Sequence, residues 1–164
     1  MVEAIQNFFL ETVGGELCVF FCSMIPIIEL RGAIPLGAAL GLPWWQSYLL
    51  AVVGNMLPVP IILLFVRAVL DFMAKSKVKF FNKVAAYVYG KAEKNKAKIE
   101  KYSFLGVAVF VGIPLPMTGA WTGSLVAAFI NMKFLRAFFS ALVGVLSAGV
   151  IMTLVSYSFV AIFA

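Results

Sequence analysis

The chain is predicted to be an all-α integral membrane protein: two inverted repeats, each a re-entrant helical hairpin followed by a membrane-spanning helix. Three observations predict this. The 164 residues are 63% hydrophobic and 12% charged, against about 25% charged in an ordinary soluble domain, and the mean hydropathy is +1.05. The apolar sequence twice runs through a segment broken by proline and glycine and then through a longer one that can span. Nine of the thirteen basic residues, but only two of the seven acids, lie between Lys75 and Lys101.

Residues 1–14 read as a short amphipathic helix with Val2, Ile5, Phe8 and Phe9 on one side, ended by Gly14-Gly15. It is too short to span and is expected at the interface. It carries Glu3 and Glu11 and no basic residue, unlike a signal peptide. Residues 17–42 are apolar but interrupted at Pro26, Gly32, Pro35 and Gly37. About 20 unbroken apolar residues are needed to cross a bilayer core, so a hairpin of two half-helices fits better than one span. Residues 44–74 are long enough to span. Trp44, Trp45 and Tyr48 form an aromatic anchor, and Pro58 and Pro60 are expected to kink the helix just after Asn55.

The basic segment 75–101 contains an apolar stripe of Phe80, Phe81, Val84 and Val88 at helical spacing. Between two membrane-grade stretches, its charge is better explained by the positive-inside rule than by nucleic-acid binding, and it is placed in the cytoplasm. Residues 102–131 form the second broken segment, interrupted at Pro114, Pro116, Gly119 and Gly123, and residues 133–164 the second span. Pro26 matches Pro114 at a shift of 88 and Gly54 matches Gly144 at 90, whereas the pairs Gly37/Gly41 and Gly119/Gly123 need 82. If both broken segments are re-entrant, the turn with Lys133 and Arg136 lies inside and the uncharged 41–47 turn outside. Four full spans would reverse the charged turn and the acidic N-terminus, against the rule.

The chemistry concentrates at the breaks. Glu29 and Arg31 stand within an apolar run, where each ionised group costs about 2.5–3.5 kcal/mol on insertion scales. Arg31 presents a fork of donors suited to phosphate or carboxylate; Glu29 can neutralise it or exchange a proton. Two residues apart on a regular helix point about 200° apart, so a direct pair requires local unwinding near Gly32 and Pro35. The second break has no charge but offers Thr118, Thr122 and Ser124 hydroxyls beside Pro114, Pro116 and Gly119. A half-helix restarting near Thr118 would aim its amide end, which favours anions, at the centre. The competing explanations are an architectural Glu29–Arg31 pair and close helix packing at Gly119 and Gly123. Cys18 and Cys22 share a helix face and are expected as small core residues rather than metal ligands. There is no histidine; no metal, cofactor or catalytic constellation is expected.

The run Ile27-Ile28-Glu29-Leu30-Arg31-Gly32-Ala33-Ile34-Pro35-Leu36-Gly37 and the run Gly112-Ile113-Pro114-Leu115-Pro116-Met117-Thr118-Gly119 resemble the signatures of the small multi-drug export protein family. The likeness covers nearly the whole chain, and the family's name implies drug efflux. More remotely, the layout resembles the DedA-type membrane proteins, whose re-entrant hairpins carry acids and arginines and which recycle polyprenyl-phosphate carrier lipids. This chain departs from them in having neither an arginine nor an acid in its second hairpin.

The expected function is transport across the cytoplasmic membrane, by a homodimer, of an anionic, phosphate-bearing lipid or amphiphile. The candidate site is Glu29, Arg31, Gly32, Pro35, Asn55, Pro114, Pro116, Thr118, Gly119 and Thr122. Arg31 and the hairpin ends would bind the head group and Glu29 would couple transport to protons. The alternatives are proton-coupled export of cationic amphiphiles through Glu29, and a non-transporting membrane scaffold. An enzyme is not expected.

Overall fold

The computed structural model describes residues 14–76, 78–94, 96–115 and 118–163. The expected interfacial helix, apart from Gly14, therefore lies outside the described residues, as does Pro116. The described residues form α1 (Gly15–Met24), α2 (Glu29–Ala39), α3 (Trp44–Met56), α4 (Pro58–Lys75), α5 (Lys79–Lys94), α6 (Lys96–Gly112), α7 (Ala120–Phe129) and α8 (Phe134–Phe163). Among the described residues, two runs are long and apolar enough to cross a membrane: the 32 residues Trp44–Lys75 and the 29 residues Phe134–Ile162. The first is interrupted at Leu57, where Pro58 opens α4, a position that needs no amide donor. Leu57 keeps helical dihedrals (φ −63°, ψ −42°) and its amide donates to the Val53 carbonyl, so the helical path continues across the interruption.

The breaks are narrower than expected from the prolines and glycines. The first occupies only residues 25–28, closed by hydrogen bonds from the Ile28 and Glu29 amides to the Ile25 carbonyl. Helix α2 then runs through Gly32, Pro35 and Gly37. A proline inside a helix removes a single amide donor, and here the packed neighbours of α2 hold the rest of the turn. Gly37 serves contact instead: a Cβ there would overlap the Ser47 hydroxyl. In the second segment the first helix ends at Gly112 and the next begins at Ala120, and Gly123 lies within α7 with no room for a Cβ beside Val111. The helical part of the second segment also starts earlier than expected, since α6 is helical from Lys96.

The two halves share local detail. Gly41 and Asn131, ninety positions apart, both have positive φ (72° and 54°). Each follows a short helix and is succeeded by the same bond pattern, Leu42 N to Gly37 O and Met132 N to Ala127 O. Gly54 packs against Phe20 O and Ser23; Gly144 packs against Ala108 O and Val111. Those contacts are 88 and 90 apart on their two sides, so the register changes by two within the breaks. The counterpart of Gly41 is therefore Asn131, not Gly123, and the glycine pairs at a shift of 82 do not correspond.

Helices pack in a crossed pattern. α1 lies on α2 and α3, and α6 on α7 and α8, while α2 also packs on α8 and α7 on α4. The short second helix of each segment thus bridges to the long helix of the other half. Leu30, Ala33 and Ile34 from α2, Ala127 and Ala128 from α7, and Ala141, Val145 and Ala148 from α8 fill the core; small residues allow this close approach. Cys18 and Cys22 are free, buried in the same core, with sulfurs 4.0 Å apart. Both short helices are also held at their far ends. The Tyr157 hydroxyl donates to the Leu42 carbonyl (2.7 Å) after α2, and the Arg67 guanidinium donates to the Met132 carbonyl after α7. Tyr157 and Arg67 are again ninety positions apart.

Candidate functional site

The two breaks meet. Glu29 opens α2 in the left-handed region, with φ 50°, a conformation that costs a non-glycine residue roughly 1–2 kcal/mol. This is the local unwinding that lets residues two apart meet, and Arg31 Nη1 donates to Glu29 Oε2 at 2.6 Å. The pair is largely enclosed, with side-chain exposures of 13% for Arg31 and 7% for Glu29.

Both side chains reach into the second break. Arg31 Nη2 lies within hydrogen-bond distance of three acceptors: the carbonyls of Val111 (3.0 Å) and Ile113 (2.9 Å) and the Thr118 hydroxyl (3.3 Å). The Thr118 hydroxyl is itself 2.9 Å from the Ile113 and Leu115 carbonyls. Glu29 Oε1 accepts from the Trp121 amide at 3.3 Å. The polarity is matched at both ends. The last carbonyls of α6 carry partial negative charge and meet a cation; the first amides of α7 carry partial positive charge and meet an anion. The charge that the second break lacks is supplied by the first.

Gly119 is what admits the carboxylate. A Cβ on Gly119 would overlap both oxygens and the carboxyl carbon of Glu29. From the other side, Trp121 Nε1 donates to the Met24 carbonyl at 3.1 Å, at the carbonyl end of α1. Arg31 and Trp121, ninety positions apart, thus reach reciprocally into each other's break.

Of the residues expected at the site, Glu29, Arg31, Thr118 and Gly119 come together here. Pro114 is half-buried within the same break, between the Ile113 and Leu115 carbonyls. Gly32 and Pro35 lie in the first turns of α2, where Gly32 leaves room for Ile28 and Pro35 withholds the amide that would bond the Arg31 carbonyl. Thr122, half-buried in the first turn of α7, makes none of these contacts. Asn55 is fully buried on α3 with neither amide atom hydrogen-bonded to protein; it stands outside the network. The residues that sequence reasoning missed are Trp121 and the Met24, Val111 and Ile113 carbonyls. Backbone groups leave no trace in residue type, but the position of Trp121 ninety residues after Arg31 was a usable signal.

Among the described residues no group of acids, cysteines or histidines is placed to hold a metal. Neither curated proteins nor solved structures give a match to the chain. A family model does: it covers residues 29–151, beginning at Glu29 and taking in Arg31, Thr118, Gly119 and Trp121. By that match over most of its length, the chain belongs to the small multi-drug export protein family, whose name describes a membrane transporter rather than an enzyme.

Proposed function

We propose that the protein moves an anionic, phosphate-bearing amphiphile across the cytoplasmic membrane, and that the Glu29 carboxylate stands in the place its head group takes. The observation that carries this reading is the set of donors around that carboxylate. An arginine and the amide end of α7 converge on it, which is how proteins hold phosphate and carboxylate. In the interlocked arrangement the internal acid fills the anion position and the two breaks are fastened together. Protonation of Glu29 withdraws its charge from Arg31, and an incoming phosphate replaces it. Proton movement and substrate movement are coupled by competition for one guanidinium.

The architecture that suits this mechanism is a pair of inverted repeats. Each has a re-entrant hairpin, α1–α2 or α6–α7, followed by a span, with Lys133, Arg136 and the basic segment inside. Discontinuous helices meeting at mid-depth are the usual setting of a transporter site, and irregular backbone is tolerated at that depth only when buried in protein or lining a cavity. The shared local register and the crossed packing of α2 and α7 support the repeat. A chain this small is proposed to enclose its pathway as a homodimer.

The test is transport of a fluorescent phosphate-bearing lipid in reconstituted vesicles under an imposed pH gradient. Glu29→Gln is expected to fold, with its single amide oxygen accepting from Arg31 while the contact to the Trp121 amide is given up. It is expected to bind the lipid more tightly and to lose the response to the gradient. Unchanged proton dependence in Glu29→Gln would remove Glu29 from coupling; normal transport in Arg31→Lys would reduce the guanidinium fork to a point charge. The family's name favours a second reading, proton-coupled export of cationic amphiphiles, which needs Glu29 and not Arg31. Activity on a cationic dye that survives Arg31→Gln and is lost in Glu29→Gln would select it.

A further inference from the structure

At the turn between α7 and α8 the surface opens into a hollow of about 950 Å³ lined by Phe104, Lys133, Phe134, Leu135, Arg136 and Phe139. Its counterpart in the first half explains why it is unusual. Gln46, ninety positions before Arg136, donates to Glu16 Oε1 at 3.1 Å. The position corresponding to Glu16, 88 residues later, is Phe104. Where the first half places an acid opposite an amide, the second half places an aromatic ring and an arginine, with Lys133 where the first half has Pro43. The equivalent end of the molecule has its own hollow of about 540 Å³ by Trp44, Tyr48 and Tyr157, and that one has no charged lining residue.

We infer that the α7–α8 hollow binds one anionic phospholipid of the surrounding bilayer, its phosphate beside Lys133 and Arg136 and its chains along Phe104 and Phe139. Charge and surface chemistry select this occupant. Lys133, Leu135, Arg136 and Phe139 are all exposed, so cations and apolar surface meet at one edge, as a head group and its chains do. A bare phosphate would leave the aromatic walls without a partner. The volume falls in the range of about 300–1,000 Å³ that holds ligands of drug size. The location fits as well: Arg67, which is bonded to the Met132 carbonyl beside Lys133, precedes the basic end of α4 at Lys75 by about 12 Å of helix. Lys133 and Arg136 in the lining, with Arg67 behind the turn, make this a positively charged edge of the molecule. It uses neither Glu29 nor Arg31 and does not depend on the transport reading.

The experiment is electron paramagnetic resonance of spin-labelled phosphatidylglycerol and phosphatidylcholine with the full chain in phosphatidylcholine nanodiscs. The protein is expected to immobilise the anionic lipid in preference to the zwitterionic one. Lys133→Gln/Arg136→Gln should lower that preference more than tenfold, at about fivefold per lost basic residue near the surface. Lys75→Gln/Lys83→Gln removes the same charge from exposed sites outside the hollow and should change it less than twofold. If the first double variant does not fold, Lys133→Gln alone is decisive, with a loss of about fivefold expected. Equal losses in the two double variants, or no loss in Lys133→Gln, would reduce Lys133 and Arg136 to charges that orient the chain. Displacement of the labelled lipid by millimolar inorganic phosphate would replace the lipid site with a simple anion site.

Discussion

The two breaks solve one problem with different residues. Each must satisfy the carbonyls that end a helix inside an apolar environment, where an unsatisfied group is costly. The second break is capped by Arg31, a charged fork serving the Val111 and Ile113 carbonyls and the Thr118 hydroxyl. The first is capped by Trp121, whose single indole donor serves Met24. Two positions earlier in each half the asymmetry repeats, with Glu29 in one half and Gly119 in the other. The space between the breaks admits one side chain, so a carboxylate on one side requires its absence on the other. Two glycines would leave the space without a charge, and two acids would collide there. The present chain places both charges in one half and leaves the other half as their receptor.

Removing the cation tests the comparison most severely. Arg31→Ala leaves Glu29 buried without its ion partner and strands the α6 carbonyls, and breaking a buried pair in this way typically costs about 3–5 kcal/mol. Thermal unfolding in detergent should show the largest destabilisation of any single change at the breaks, and Arg31→Ala/Glu29→Gln should recover part of it. A loss below about 1 kcal/mol would mean that water, not the protein, satisfies these groups.

Next in size is Gly119→Ala. The obstructing atoms belong to the mobile end of the Glu29 side chain, so the fold is expected to survive while the carboxylate leaves the Trp121 amide. A lost charge-assisted hydrogen bond is worth about 1.5–3 kcal/mol. Glu29→Asp shortens the acid by one methylene, and in combination with Gly119→Ala it should restore stability relative to Gly119→Ala alone. If the double variant is no better, the contact of Glu29 with Gly119 does not determine the fit.

Much of this architecture was legible in the sequence. The apolar composition and the two broken segments follow from residue type. So does the importance of Glu29 and Arg31, because ionised groups in an apolar run must find partners. The extent of the breaks was not legible: Gly32, Pro35 and Gly37 look like interruptions, yet α2 runs through them and uses Gly37 to admit Ser47. The partners of the ion pair were hidden because most are backbone carbonyls and an amide. An arginine eight residues inside a span, Arg67, needs an acceptor, and nothing in residue type names the Met132 carbonyl that serves it. Asn55 was singled out as a polar residue in a span, and the structure buries it without giving it a protein partner.

The smallest expected effect separates a reciprocal lock from two independent caps. Trp121→Phe keeps the ring and removes only the donor to the Met24 carbonyl, a loss of about 1 kcal/mol for one neutral hydrogen bond. Alone it says little. Its value lies in combination with Arg31→Lys, which keeps the charge of the opposite cap but replaces the fork with a point donor. Sites without shared partners add to within about 0.3–0.5 kcal/mol, whereas members of one network couple by about 0.5–3 kcal/mol. Arg31 and Trp121 are joined through Glu29, which accepts from the guanidinium on one oxygen and from the Trp121 amide on the other. Loosening either cap should therefore shift the carboxylate and weaken the other. The stability cycle is expected to be non-additive, and the coupling should vanish when both changes are made on a Glu29→Ala background, where the shared acceptor is gone. Additivity in the native background would make the two breaks neighbours that do not communicate.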